Sequence, residues 1–122
     1  MMDKYFSTHI RDEAIKRKKL EMERLRQSLL KNAVTVIAEL RRTVSFKDAF
    51  IFGSLTKPFK FGINSDIDIA FSGLKDRDFF KAASFISSEI GREVDVIQLE
   101  GFRFAEKIKK EGIKWKPKNM PF

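Results

Sequence analysis

The stretch NSDIDIAFSG, residues 64–73, sets two aspartates one residue apart, Asp66 and Asp68, inside an otherwise apolar run. Alternation of this kind has the two-residue period of a β-strand. Residues two apart on a strand point to the same face. Asp66 and Asp68 therefore lie side by side, while Ile67 and Ile69 turn the other way, into a core. Two bare carboxylates this close repel one another and raise each other's pKa unless a cation lies between them.

The rest of the chain supplies partners for that strand. Residues 8–43 contain no Gly or Pro, and from Leu25 onward apolar residues recur every three or four positions, so a long helix is expected, with Ser7 or Thr8 as its cap. Its first half, KRKKLEMERLR, is mostly charge and is expected to project as an arm or to pair with another chain. Residues 49–53, AFIFG, read as a buried strand, and 54–64 as loop. A helix is expected over 75–91, with Phe79, Phe80, Ala83, Phe85, Ile86 and Ile90 inward, Asp76 at its start and Gly91 at its end. Residues 93–99 read as a third strand, 102–112 as a last helix, and IKW as a short terminal strand with Trp115 over the sheet edge. Helix, strand, loop, strand, helix, strand, helix makes a small α/β or α+β domain with a mixed sheet of three or four strands.

A chain of 122 residues, 43% apolar and 34% charged, fits one globular domain. No apolar run approaches the roughly 18 residues of a spanning helix, and the opening MMDKYFSTHIRDE is too acidic and interrupted for a signal peptide. A cytoplasmic protein with no membrane contact is the expectation. The absence of cysteine excludes disulfides and thiolate metal sites, and a single histidine, His9, excludes a multi-histidine one. Charge is unevenly placed: residues 1–45 carry net +5, 46–100 net −2 and 101–122 net +5. Basic ends attract phosphate chains or acidic protein surfaces.

A third acid, Asp95, is flanked by Val94 and Val96 and reads as a lone charge in a buried strand. If that strand pairs beside the Asp66–Asp68 strand, three carboxylates form one cluster. Mg²⁺ is a hard cation held by one or two carboxylates plus substrate phosphates. Three acids can hold two such ions, which activate an attacking hydroxyl and stabilise a leaving pyrophosphate oxygen. Asp95 would stand nearest the attacking group. Upstream, Gly53 permits close backbone approach to a phosphate, and Ser54 adds a hydroxyl donor. Lys57 and Lys60 follow in the loop, of which Lys57 is the better placed to neutralise phosphate charge. Phe59 and Phe61 lie in the same loop, where either can stack on a base.

Gly53-Ser54, eleven intervening residues, Asp66-Ile67-Asp68 and then Asp95 resemble the signature of the nucleotidyltransferases of the DNA polymerase beta superfamily. The small size is most similar to the minimal nucleotidyltransferases. NSDIDIAF and REVDVIQLEG carry the likeness best, and FAEKIKKEGIKW is similar to how such chains end. The resemblance covers roughly residues 25–115. It divides the chain into a basic helical arm over 1–24, a nucleotidyltransferase domain over 25–115 and a tail over 116–122. It implies Asp66, Asp68 and Asp95 as catalytic and metal-holding residues, and Gly53, Ser54 and Lys57 as nucleotide-binding ones. It further implies Mg²⁺, as two ions, and ATP as substrate, with AMP transferred to a hydroxyl. Minimal members are often antitoxins paired with a HEPN-domain ribonuclease toxin, whose tyrosine is the acceptor. One departure stands out: many members have an Arg-Gly pair soon after the Gly-Ser, where this chain has LTKPFKFG.

Two alternatives stand beside the enzyme. The chain can be a binding module that neutralises a partner by contact through its long helix, or form a homodimer through that helix. The basic ends also permit nucleic acid, although a cluster of carboxylates repels a phosphate backbone unless metal is bound.

Overall fold

The computed structural model describes residues 4–117, with side chains from Thr8 onward. The five C-terminal residues of the tail, 118–122, lie outside the described residues. The elements are α1 (Lys4–Leu40), β1 (Asp48–Phe52), a 3₁₀ turn (Gly53–Thr56), β2 (Ile67–Ser72), α2 (Asp76–Ile90), β3 (Val94–Gln98), α3 (Ala105–Glu111) and β4 (Ile113–Lys114). The expected mixed α+β sheet flanked by helices, with an extended N-terminal helix, is the architecture found.

With 37 residues, α1 is about 55 Å long at 1.5 Å per residue. It begins at Lys4, so neither Ser7 nor Thr8 caps it. It ends at Leu40 rather than residue 43: the N–H groups of Arg42 and Thr43 reach only three residues back, to Glu39 O and Leu40 O, and the Thr43 hydroxyl also donates to Leu40 O at 3.2 Å. Residues 8–21 are all exposed, and burial begins at Met22 and Glu23. The arm is long but charged, and no helix among the described residues is both long and apolar enough to cross a membrane.

The sheet has the order β3-β2-β1-β4. β1 pairs antiparallel with β2 and β4, and β2 pairs parallel with β3, the crossover being α2. On one face of β2, Ile67, Ile69 and Phe71 are fully buried against α1 and α2 in the main core. The other face carries a smaller cluster of Phe50, Ala70, Leu99 and Ile108, covered by α3. Asp68 lies in line with Ala70 on that second face, opposite Phe52 at the end of β1. A one-residue slip of β2 would push Asp68 into the main core and expel three side chains. Each of those contributes about 1.5–3 kcal/mol of burial, so the register is set by the isoleucines and Phe71, and the acid follows.

Three expectations about α2 and α3 need correction. Phe80 is 79% exposed rather than inward. The buried stripe of α2 runs Ala82, Ile86, Ile90 at four-residue steps, and Phe80 falls off it, edge-on to Phe79 at 5.5 Å. Asp76 is not the cap but the first residue of α2, preceded by Lys75. Its carboxylate instead accepts from the Gln98 side chain at 2.9 Å, tying α2 to β3. The last helix begins at Ala105, three residues later than expected, because residues 99–104 are spent on turns closed by Phe102 N–H to Leu99 O and Ala105 N–H to Phe102 O. Trp115 is buried at the β1 edge, its indole N–H donating to Val34 O of α1 at 3.2 Å.

Among the described residues the buried charges are two residues of one turn of α1, Glu23 and Arg26, each 7% exposed. Arg26 donates to both Glu23 carboxylate oxygens, at 2.8 and 2.6 Å, and to Leu55 O at 2.9 Å. Glu23 Oε1 also accepts from the Phe59 N–H at 2.7 Å. The guanidinium first, and the Phe59 N–H second, hold the Glu23 carboxyl down at about 2 against the opposing effect of burial. A carboxyl whose folded value is depressed stabilises the fold above its unfolded value and stops doing so as pH falls through the folded one. The Tm gap between the parent and Glu23→Gln is therefore expected to be constant above pH ~5 and to close between about pH 4.5 and 2. A gap unchanged at pH 2 in a thermal-melt series would contradict this.

Candidate active site

β1 and β2 deliver their residues to the same end of the sheet. In the antiparallel register Asp68 faces Phe52, the last residue of β1, and in the parallel register it faces Asp95. Gly53 follows Phe52 at φ +78, a left-handed conformation, and opens the 3₁₀ turn. A Cβ built on Gly53 would stand 2.6 Å from Asp68 Oδ2. The glycine is thus required twice, once by its backbone angle and once because the acid occupies the space a side chain would need.

Asp68 is half-buried, whereas Asp66 and Asp95 are exposed. Burial, then the charges of Asp95 and Asp66, then a hydrogen bond with Asp95 push the Asp68 carboxyl up to about 6. The structure thus brings both other acids within electrostatic reach of Asp68. Asp66 sits one residue ahead of β2. The reading of Asp95 as a charge inside a buried strand is corrected: β3 is an outer strand of the sheet, and only Val94 within it is fully buried. Sheet order, not local composition, decides that exposure.

The other expected residues fall around this point. Ser54 is half-buried in the turn, and its carbonyl accepts from Lys57 N–H at 3.2 Å. The Thr56 hydroxyl closes the turn on Gly53 O at 2.8 Å. Lys57 is exposed and lines a cleft of about 300 Å³ between the turn and α3. Its walls include Phe52, Gly53, Phe102, Phe104 and Lys107. Phe104 is 51% exposed, with the Arg103 guanidinium 4.9 Å over its ring. Phe61, by contrast, is 4% exposed in the main core, and Phe59 lines a separate cleft with Ile15, Lys18 and Met22. The aromatic rings that share a cleft with Gly53 are Phe52, Phe102 and Phe104. The interleaved GFRFAEKIKK was the available signal for Phe102 and Phe104.

No protein-family model and no curated protein matches the sequence. Solved structures do match the fold. A toxin–antitoxin MntA–HepT complex, in a form with two aspartates two positions apart exchanged for glutamates, superposes with TM-score 0.57 at 21% identity, covering 70% of this chain and 72% of that one. The MntA–HepT complex without the exchange gives 0.53 at 22%, covering 71% of each chain. A tri-AMPylated Shewanella oneidensis HEPN toxin in complex with its MNT antitoxin gives 0.53 at 21%, covering 72% of this chain and 71% of that one. The chain has the minimal nucleotidyltransferase fold.

Within that fold the donor chemistry at the sheet end suits a hard divalent cation. Carboxylate oxygens are the ligands Mg²⁺ takes, and a carboxyl raised by two neighbouring acids is one whose ionised form a cation would favour. Among the described residues no three acidic or histidine side chains already stand as a metal-binding group. Asp68 is the hub, with Asp66 and Asp95 each acting on it.

Proposed function

We propose that this chain is a Mg²⁺-dependent nucleotidyltransferase. It moves a nucleoside monophosphate, AMP from ATP, to a hydroxyl of a partner protein. The observation that carries the reading is Asp68 pressed against Gly53 at the sheet end, with Asp66 and Asp95 bearing on it. The arrangement sets a phosphate-permissive turn directly beside a set of carboxylates that a cation would neutralise. When bound there by Asp66, Asp68 and Asp95, Mg²⁺ would neutralise phosphate charge and lower the pKa of the acceptor hydroxyl. The Ser54 hydroxyl and the N–H groups of the turn hold phosphate oxygens. Lys57, in the loop that follows the Gly-Ser pair, supplies a point charge to the phosphates rather than the two-pronged contact an arginine would make. Asp95, exposed at the rim, takes the proton of the attacking hydroxyl as its oxygen bonds to the α-phosphorus and pyrophosphate departs. Catalysis of this kind is mainly positioning and electrostatics.

The partner proposed is a HEPN-type toxin, with this chain as its antitoxin. The reading draws on the fold neighbours: one is a complex whose HEPN toxin is tri-AMPylated, and another carries exchanges at two aspartates with the spacing of Asp66 and Asp68. The test is incubation of the protein with a co-encoded helical partner, ATP and Mg²⁺, followed by intact-mass spectrometry. The expected result is a partner heavier by one or more AMP groups, dependent on Mg²⁺. An unmodified partner that is nevertheless neutralised by a variant lacking all three acids would instead establish the contact-only module.

The base is proposed to lie in the cleft walled by Phe102 and Phe104. Stacking on an aromatic ring is worth about 1–3 kcal/mol per base. Phe104→Ala is therefore expected to raise the KM for ATP by roughly five- to 150-fold, with kcat within about twofold. Steady-state kinetics checks this, and an unchanged KM would move the base elsewhere.

A further inference from the structure

We propose that Glu23 and Arg26 are positioning residues for the Gly-Ser turn. On the nucleotidyltransferase reading above, the turn must hold Gly53 at a fixed depth against Asp68. Something must set that depth. Residues 53–59 leave the sheet after β1 and have no strand partner. Two polar anchors from α1 hold their backbone. Arg26 donates to Leu55 O at 2.9 Å, two residues past Gly53, and Glu23 accepts from Phe59 N–H at 2.7 Å. Leu55 itself is fully buried, so its carbonyl can only be satisfied from within the protein. Phe59 stands at φ +62, a left-handed angle uncommon for a residue with a side chain. Such angles persist only where the surroundings over-determine them, and the Glu23 carboxylate supplies that constraint.

A purely stabilising role does not explain the pair. A buried ion pair is weak grounds for stability, since apolar residues of similar volume often serve as well. Apolar residues cannot, however, donate to one backbone group and accept from another. Glu23 and Arg26 are further fixed to each other through two parallel hydrogen bonds, at 2.6 and 2.8 Å, so the two anchors move as one body with α1. Misplacing a reacting geometry by about 1 Å can cost ~10²-fold in rate. Arg26 is suited to the task because its planar fork serves the carboxylate and the carbonyl together, which a lysine cannot do.

The test is the Kd of α,β-methylene ATP with Mg²⁺, measured by calorimetry on the parent, on Glu23→Leu/Arg26→Met and on Arg26→Lys. Lost stability raises the apparent Kd only once an appreciable fraction of molecules is unfolded, so each Kd is measured well below that variant's Tm, where a merely less stable variant keeps the parent's value. The expected result is a folded double variant whose Tm falls, because the buried Leu55 carbonyl is left unpaired, and whose Kd rises about tenfold, with Arg26→Lys in between. If the double variant does not fold, Arg26→Lys carries the same criterion. Folded variants with the parent's Kd would overturn the positioning role alone. A parent that binds no Mg²⁺-nucleotide would overturn the nucleotidyltransferase reading and this inference with it.

Discussion

Asp68→Asn is expected to abolish nucleotide transfer and, in the same molecule, to make the metal-free protein more stable. The loss of transfer should reach about 10³-fold, the upper scale for removing one preorganised electrostatic contact to a transition state. The gain in stability follows from the opposite side of the same carboxyl. In the free protein the Asp68 carboxyl is pushed up to about 6 by burial and by its two acidic neighbours. Each pKa unit is worth about 1.4 kcal/mol. The rise from 3.8 to about 6 therefore sets an upper figure of about 3 kcal/mol. Partial solvent access reduces it to about 1 kcal/mol, or about 4 °C in Tm for a domain of this size. Because the folded value is raised, the penalty is absent below about pH 4, grows as pH rises, and is complete above about pH 6. The melting curves of parent and variant should thus coincide in acid and separate at neutral pH, with the variant higher. A variant that is both inactive and less stable at neutral pH would mean that Asp68 serves the fold rather than the chemistry.

Gly53→Ala is expected to cost both stability and transfer, and to do so through Asp68. The φ of +78 costs an L-residue about 1–2 kcal/mol. The new Cβ, 2.6 Å from Asp68 Oδ2, forces the carboxylate away from the turn. A loss of about 2 kcal/mol in stability and of about 10²-fold in transfer is expected. The two causes can be separated in a double-mutant cycle with Asp68→Ala, which removes the obstructing oxygen. The clash then disappears and only the backbone cost remains, so the two changes should be non-additive by about 1 kcal/mol. Strict additivity in denaturant unfolding would show that the turn and the acid are independent.

What could be read in the chain beforehand was whatever depends on local pattern. The period-two alternation of DIDIAFS gave β2, its face assignment and the dry side made by Ile67 and Ile69. The unbroken stretch before Val44 gave α1, and Gly91 gave the end of α2. What could not be read depends on which elements become neighbours. Asp95 looked buried because Val94 and Val96 flank it, but β3 is an outer strand, and a strand does not encode its place in the sheet. Phe80 read as inward along with Phe79, which packs half-buried against the core, yet the helical angle of one residue carries Phe80 to solvent. Glu23 and Arg26 were lost in KLEMERLR, where five of the eight residues are charged. Only the arrival of the 53–59 loop, 29 to 36 residues away, distinguishes them from a solvated helix face. The Phe102 and Phe104 cleft wall was hidden for the same reason: α3 must first fold over Phe50 and Ala70 before those rings meet Gly53.

Titration of the Asp68 side-chain carboxyl carbon by NMR, with and without Mg²⁺ and α,β-methylene ATP, tests the proposed metal–nucleotide site most directly. The free protein should give a midpoint near pH 6, and the ligated protein one below the ordinary carboxylate value, because a bound cation reverses the repulsion of Asp66 and Asp95. A midpoint that stays near 6 in saturating Mg²⁺ and nucleotide would mean that these carboxylates do not hold the ion.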